Sequence, residues 1–480
     1  MSEDPIPLGI SAEDWAATPS AVKALMLSLL ETVAALQKRV AELEERVNQN
    51  SRNSSKPPSS DPPNAAPRPK HTSSGRKTGG QPGHPGHGRP LQPVESVNRV
   101  VPLRPVSCAV CGALLLGEDP QPVRRQVTEL PRIEPEVTEY QRHTVTCLVC
   151  GASTPAPWPA DLPAGSCGPR LEATVGYVTG RLGLSQRDTV ELLDTLCHTN
   201  LGLGSIPALE GRVSTALTTP VAEAVEYVQA QLTNNVDETS WPLGPRRGWL
   251  WVNVTTLVTV FFLLTSRSAA AARHVIGALT DKVVGSDRYS AYTWMAVWFR
   301  QVCWAHLRRD FEALVERGGE SQRIGQALLA QAEHLFTLWH RVRDGPLSRA
   351  DFQAQVQPLR QQVGELLREG AQGAHPKTAH TCAKILQVET ALWTFVDREG
   401  VEPTNNAAER ALRRAIVWRR RSFGTHSDGG ARFVERILTV VTTLRQQHRD
   451  VLDYLTEACT AANAKRKAPS LLLNMTKVTA

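Results

Sequence analysis

Three acids are placed where they could do chemistry together. Asp237 lies in Val236-Asp237-Glu238-Thr239, Asp287 ends Lys282-Val283-Val284-Gly285-Ser286-Asp287, and Glu409 lies in Asn405-Asn406-Ala407-Ala408-Glu409-Arg410. Carboxylates gathered from distant positions can hold two divalent cations roughly 3.5 to 4 Å apart, a clamp for the attacking and leaving oxygens of a phosphoryl transfer. Each acid also has an ordinary reading. Asp237 and Asp287 could be exposed strand-end or turn aspartates, and Glu409 has capping-box-like spacing to Asn406 and an i+4 partner in Arg413. Against that, Glu409 shares a helical stripe with Leu412 and Ile416. It is therefore expected to face packed protein, where an unpaired carboxylate is costly and a metal would resolve the cost. Glu238 is expected on the opposite face of its strand from Asp237, which makes it the weaker ligand candidate.

The elements that would position these acids follow from β-branched and aromatic runs. Strands are expected around Val236, over 249–256 and over 257–264, then a helix over 269–279, a short strand ending at Asp287, and another short strand at 300–304 before a long helix. Three strands, helix, strand, helix, strand is the RNase H-like plan, in which acids in the first strand and just after the fourth can converge.

Four further residues read as a metal site of another kind. Cys108-Ala-Val-Cys111-Gly and Cys147-Leu-Val-Cys150-Gly are two knuckles, separated by a segment with strand character that includes 137–145. Four thiolates at this spacing fit a tetrahedral structural Zn²⁺ of the ribbon type. Such a closed site serves stability or DNA contact and leaves no open position for catalysis. Cys303 and His306 resemble half of another site without a second half, and His306 is expected to pack or hydrogen-bond.

Charge is informative through its clustering. The chain of 480 residues carries a net charge of +7. Arg410, Arg413, Arg414, Arg419, Arg420 and Arg421 surround Trp418 with no acid between Glu409 and Asp428. A block of one sign favours phosphates, with Trp418 available to stack on a base. Arg308 and Arg309 are further DNA-contact candidates.

Seven segments are expected ahead of a C-terminal tail at 461–480. Residues 1–50 form a helix whose Met26, Val33, Val40 and Val47 alternate with Leu29, Leu36 and Leu43, a short parallel coiled coil in which Arg39 can meet Glu44 of a partner helix. The ordinary reading is a helix packed on its own protein. Residues 51–107 form a basic Pro/Gly/Ser-rich linker, either solvated or lying along a phosphate backbone. The zinc ribbon follows at 108–152, and a helical, helix-turn-helix-like DNA-binding segment at 168–230, with Ser185 as a helix N-cap and Pro207 in a first turn. The catalytic core spans 231–310 and 401–460, interrupted by a helical insertion at 311–400. The fold class is thus multidomain α+β. The acidic, proline-broken start argues against a signal peptide, and the longest apolar stretch read, 249–264, falls short of a membrane span. Nine cysteines with two C-x-x-C pairs suit a reducing compartment, so a cytoplasmic, nucleoid-associated protein with no membrane partner is expected.

The chain resembles the insertion-sequence-66 family of transposases. The resemblance rests on Asn-Ser-Arg-Asn-Ser-Ser-Lys-Pro-Pro-Ser-Ser at 50–60, Gly79-Gly80-Gln81-Pro82-Gly83-His84, both cysteine knuckles, Val236-Asp237-Glu238-Thr239, Ser286-Asp287-Arg288-Tyr289, Cys303-Trp304-Ala305-His306-Leu307-Arg308-Arg309 and Asn405-Asn406-Ala407-Ala408-Glu409-Arg410. It implies a DDE triad at Asp237, Asp287 and Glu409 on an RNase H-like fold with an all-helical insertion before the third acid. It also implies two Mg²⁺ (or Mn²⁺) ions, cleavage at the ends of a bacterial insertion sequence, and strand transfer of the freed 3′-hydroxyl into target DNA. Its partners would be element ends and target DNA, a second copy through the coiled coil, and small accessory proteins. Where relatives have Asp-Asn-Asn and Ser-x-Gly-Thr-Ile, this chain has Thr404-Asn405-Asn406 and Leu203-Gly204-Ser205-Ile206-Pro207. Thr404 is therefore given no catalytic role. The alternative readings are a related nuclease without strand transfer, and a catalytically inactive zinc-ribbon protein that occupies element ends.

Overall fold

The computed structural model describes residues 11–48, 90–163, 165–279 and 281–473. The arm at 50–60, the Gly79–His84 string and Asn50 at the end of the heptad pattern lie outside the described residues. Helices α1 (Ala12–Ala17) and α2 (Ser20–Asn48) open the described chain. Along α2, Leu25, Leu29, Val33, Leu36, Val40 and Leu43 are all exposed. The part from Ser20 to Val40 has a mean hydropathy of 1.3, long and apolar enough by composition alone to cross a membrane. The apolar run at 249–264 is therefore not the only one of note, and the same leucines and valines make up the heptad seam.

The contacts divide the chain into two compact units, the smaller comprising, among the described residues, 90–137 and 195–199. Cys108 and Cys111 belong to the smaller unit, Cys147 and Cys150 to the larger. The knuckles share one backbone geometry. The Gly112 amide donates to the Cys108 carbonyl and the Gly151 amide to the Cys147 carbonyl, each at 2.9 Å. Both glycines have left-handed φ, 74° and 72°, the conformation that a side chain would strain. The strand character read over 137–145 condenses to β1 (Thr144–Thr146) and β2 (Ser153–Pro155), a short antiparallel pair flanking the second knuckle.

In the larger unit, helix α3 (Pro169–Gly176) continues into a π-helical turn, Tyr177–Leu182, before α4 (Gln186–Cys197), α5 (Ser205–Ala216) and α6 (Thr218–Ala230). Ser185 does cap α4, its Oγ accepting from the Asp188 amide at 3.1 Å. The sheet that follows holds β3 (Thr233–Leu243), β4 (Arg246–Val254), β5 (Thr259–Leu264), β6 (Val283–Ser286) and β7 (Arg300–Val302) in the order β5-β4-β3-β6-β7. The first three strands are antiparallel neighbours, while β6 runs parallel to β3 and β7 parallel to β6. Helix α7 (Ala269–Ile276) bridges β5 and β6. The helix expected between the last two strands is replaced by two 3₁₀ turns, Ser290–Tyr292 and Val297–Phe299. The connection there is short and aromatic, and it packs Tyr292 and Met295 into the core in place of a helix face.

Both sheet edges are met by groups from outside the sheet, β7 through an accepting carbonyl and a side chain and β5 through its backbone donors. After β7 come α8 (Trp304–Val315), α9 (Gly319–Arg343), α10 (Arg349–Gln372), α11 (Pro376–Leu386) and α12 (Thr394–Asp397), a helical insertion whose apolar core takes in Val283 and Val302 of the sheet. Its end covers β7: Thr394 Oγ1 donates to the Arg300 carbonyl at 2.6 Å, and the Phe395 amide donates to Gln301 Oε1 at 2.8 Å. The chain then returns through α13 (Asn406–Ser422), α14 (Asp428–Gln446) and α15 (Val451–Asn463). The far edge, β5, is met by α14. Amides of Thr259, Phe261 and Leu263 donate to Thr443 Oγ1, Thr439 Oγ1 and Glu435 Oε1 at 3.1, 3.0 and 2.6 Å. Four residues of helix rise about 6 Å and two residues of strand about 6.6 Å, so the two repeats stay in step. Thr439 is fully buried and its hydroxyl also donates to the Glu435 carbonyl. Thr439→Val, nearly isosteric, should therefore leave the Phe261 N–H unsatisfied and cost about 1–3 kcal/mol in denaturant unfolding.

Candidate active site

Register places two of the acids. The β3–β6 ladder pairs Asn235 with Gly285, so two residues further along each parallel strand Asp237 and Asp287 come level on the same face. Along β3, Val236 and Glu238 turn to the core shared with α7, while Trp241, of the same parity as Asp237, packs with Ala408, Leu412 and Ala415 of α13. Glu409 stands in the first turn of α13. The helix thus brings the third acid to the face on which Asp237 points, as the stripe with buried Leu412 suggests.

One side chain joins the pieces. Asn405, fully buried just ahead of α13, donates from Nδ2 to the Val236 carbonyl at 2.9 Å, and its amide donates to Cys303 Sγ at 3.1 Å. The Glu409 amide donates to the Asn405 carbonyl at 3.2 Å, and the Cys303 amide to the Ser286 carbonyl at 2.9 Å. Asn405 therefore links the residue before Asp237, the start of α8 and the turn that carries Glu409, while the Cys303 amide ties that start to the residue before Asp287. Its Oδ1 is buried without a hydrogen-bond partner.

The electrostatics are those of a site short of positive charge. The Asp237 carboxyl is pushed well above the usual carboxylate range by burial, then by the charges of Glu238 and Asp287, with Glu409 adding a smaller push. The Glu238 amide donates to Asp237 Oδ1 at 2.9 Å, and the Tyr289 amide donates to Asp287 Oδ1 at 2.9 Å. Glu409 Oε1 is buried without a hydrogen-bond partner; His306 Nδ1 lies 3.6 Å away and an Arg309 nitrogen 3.7 Å. A cluster of acids that raises one member's pKa and leaves another's oxygen orphaned is a donor set suited to hard divalent cations.

Glu238 is spoken for elsewhere, as its parity suggests. It accepts from Arg267 Nε at 2.8 Å and from the Tyr292 hydroxyl at 2.5 Å, and the Arg267 guanidinium lies 3.7 Å from the centre of the Tyr289 ring. This network props the loop after Asp287 from behind. Cys303 and His306 do find a third group: their ligand atoms and that of Glu409 lie within 4.8 Å of one another. Burial pushes the Cys303 thiol up to about 11, so it stays protonated, and its sulfur already accepts from Asn405. Burial, then the neighbouring Arg309, lowers the His306 pKa and favours neutral imidazole.

Several expected DNA contacts sit differently. Arg410, Arg413, Arg414, Arg420 and Arg421 are exposed on α13, and Arg308 is exposed on α8. Arg419 instead bonds Thr239 Oγ1 and Ser240 Oγ at 3.0 Å each, tying α13 to β3. Arg309 turns toward Glu409. The Trp418 ring is half-buried, edge-on to Trp241 at 6.1 Å and to Phe433 at 6.4 Å; it packs, where an open stacking platform was expected. Asn405, Arg267 and Tyr292 were missed by sequence reasoning. Only the string Asn405-Asn406 ahead of Glu409 carried a signal for the first.

Residues 190–433 match the transposase family IS66, and residues 14–90 match a family of unknown function (DUF6444). Two relatives come from Sinorhizobium fredii (strain NBRC 101917 / NGR234). The uncharacterized protein y4qI is 29% identical over 254 residues, 47% of this chain and 46% of the relative. The uncharacterized protein y4hP is 26% identical over 400 residues, 75% of this chain and 71% of the relative. The chain thus spans less than half of the first relative's length and somewhat over two thirds of the second's. With the family match covering half of its residues, including all three acids, the chain belongs to the IS66 family of transposases.

Proposed function

We propose that this chain is a DDE-type DNA transposase with an RNase H-like core, and that Asp237, Asp287 and Glu409 are its catalytic acids. The observation that carries the reading is the parallel β3–β6 register, which brings Asp237 level with Asp287, the residue after β6, with α13 supplying Glu409 on the same face. Two Mg²⁺ or Mn²⁺ ions held by these carboxylates would supply the Lewis acidity that activates the attacking oxygen and stabilises the leaving 3′-oxygen. The chain's own part is positional. Backbone amides of Glu238 and Tyr289 orient the two aspartates, Asn405 fixes the helix that carries the glutamate, and Arg309 and His306 border Glu409. Exposed arginines of α13 would hold the phosphate backbone against the acids. Water first cleaves a phosphodiester at the element end. The freed 3′-hydroxyl then forms a new P–O bond in target DNA as the old bond to a 3′-oxygen breaks, with no covalent protein intermediate. The enzyme would work on nucleoid DNA in the cytoplasm, together with accessory proteins of the element.

Asp237→Asn, Asp287→Ala and Glu409→Gln should each reduce Mg²⁺-dependent nicking of element-end DNA to background while electrophoretic shift of the same DNA persists. Nicking retained by Asp287→Ala would sink the triad, and a wild-type chain that binds but never nicks would favour the inactive end-binding reading.

The matched knuckle geometry supports a structural Zn²⁺ held by Cys108, Cys111, Cys147 and Cys150. In both knuckles backbone amides donate toward the first cysteine's sulfur and lower its thiol pKa, favouring the thiolate that a metal needs. Protein purified without chelator should contain one zinc per chain by elemental analysis, lost in Cys111→Ser; metal-free protein would contradict it. The exposed seam of α2 supports self-association through a parallel coiled coil. Leu36→Lys should shift the sedimenting species toward the monomer, and an unchanged mass would count against the seam.

A further inference from the structure

Outside the acid site, Arg414 of α13 contacts Arg181 where the π-helical turn rests on α13 and α14, with Arg445 of α14 near enough for its charge to act on Arg181. Gly180 fixes the turn: a Cβ there would overlap Ile437 Cγ1, a fully buried group of α14, so only glycine allows this approach. The turn ends at Gly183, left-handed with φ 70°, where a Cβ would lie 3.7 Å from the Trp418 ring. Arg181 is thereby held against both helices. Arg414 Nε donates to the Arg181 carbonyl at 3.1 Å, and its Nη2 donates to the same oxygen. Arg181 Nε and Nη1 are buried and have no hydrogen-bond partner. Burial, and then the charges of Arg414 and of exposed Arg445 on α14, hold the Arg181 pKa below its ordinary value. Among the described residues no ion pair links any of the three to a carboxylate.

Two buried N–H groups without acceptors and three like charges without a counter-ion are both unfavourable, and an oxyanion would relieve both. π-helical turns also occur often at functional sites. We propose that Arg181, Arg414 and Arg445 form a seat for a backbone phosphate of duplex DNA, separate from the acid site. The choice of a DNA phosphate over a small anion rests on the transposase reading. It also rests on the exposed face of α13, where Arg410, Arg413 and Arg421 continue from Arg414 along one stripe with no acid among them.

The test is equilibrium binding to random-sequence duplex DNA by fluorescence anisotropy, in EDTA and over a range of NaCl concentrations. Without metal the measurement does not depend on cleavage, so it can fail while the catalytic reading stands. Arg181→Gln and Arg445→Gln should each lower the slope of log K against log salt by about 0.9, the loss of one phosphate contact. Arg341→Gln, an exposed change at the end of α9, should leave the slope unaltered. Arg445 is exposed, so its variant reads the seat even where Arg181→Gln fails to fold. Wild-type slopes in both Arg445→Gln and folded Arg181→Gln overturn the proposal. So does a thermal shift of the wild type by inorganic phosphate with unchanged DNA slopes, which would assign a small-anion seat. A wild-type chain that binds no duplex DNA overturns the seat and the transposase reading together.

Discussion

The acid site depends on one buried amide. Asn405 reaches across to the Val236 carbonyl and gives its backbone N–H to Cys303, while its own carbonyl begins the hydrogen bonding of α13. It is fully buried, so these bonds are made in a low-dielectric interior where each is strong and a missing one is costly. A strand residue next to Asp237, the start of α8 and the turn bearing Glu409 are therefore set by a single side chain and its peptide. Farther along α13, Arg419 makes a second tie to the same strand through Thr239 and Ser240. Aspartate at 405 would lose the donor to Val236, and alanine would lose it along with the packing.

Around this link the sheet is held from its edges. α14 lays Glu435, Thr439 and Thr443 along β5 like the acceptors of a further strand, and the end of the helical insertion donates to β7, from Thr394 Oγ1 to the Arg300 carbonyl and from the Phe395 amide to the Gln301 side chain. The insertion's apolar core takes in Val283 of β6 and Val302 of β7, so the helices are anchored on the strands they interrupt. Trp304 marks where the two meet: its indole nitrogen donates to the Leu392 carbonyl at 2.7 Å, and its ring lies edge-on to Trp393 at 5.1 Å. The sheet and both of its crossings are thereby fixed before any ligand arrives.

Much of this was legible in the sequence because it is periodic or local. β-branched runs marked β3 to β6, a serine marked the start of α4, and the parity of β3 separated Asp237 from Glu238. The stripe shared with Leu412 turned Glu409 toward packed protein. What escaped is long-range or irregular. Nothing local says that Asn405 bonds a carbonyl 169 positions away, or that Glu238 finds Arg267 and Tyr292. The π-helical turn shares the periodicity of the helix before it, and the 3₁₀ turns between β6 and β7 have no period to read. Composition suggested an arginine block around an available tryptophan; tertiary packing took Arg419 for Ser240 and Trp418 for its neighbouring rings.

Charge then divides the larger unit into two regions of opposite need. The acids raise one another's pKa and leave Glu409 Oε1 without a donor, whereas Arg181 keeps two buried donors without an acceptor. Cations at the first and phosphates at the second would satisfy both, in keeping with the proposed transposase reading. The most direct test of the acid site is Mn²⁺ binding, followed by the loss of the free-ion electron paramagnetic resonance signal, in the wild-type chain and in isosteric Asp287→Asn. Binding by the wild type that is lost or strongly weakened in the variant is the predicted result; equal binding by the two, or none by the wild type, would contradict the site.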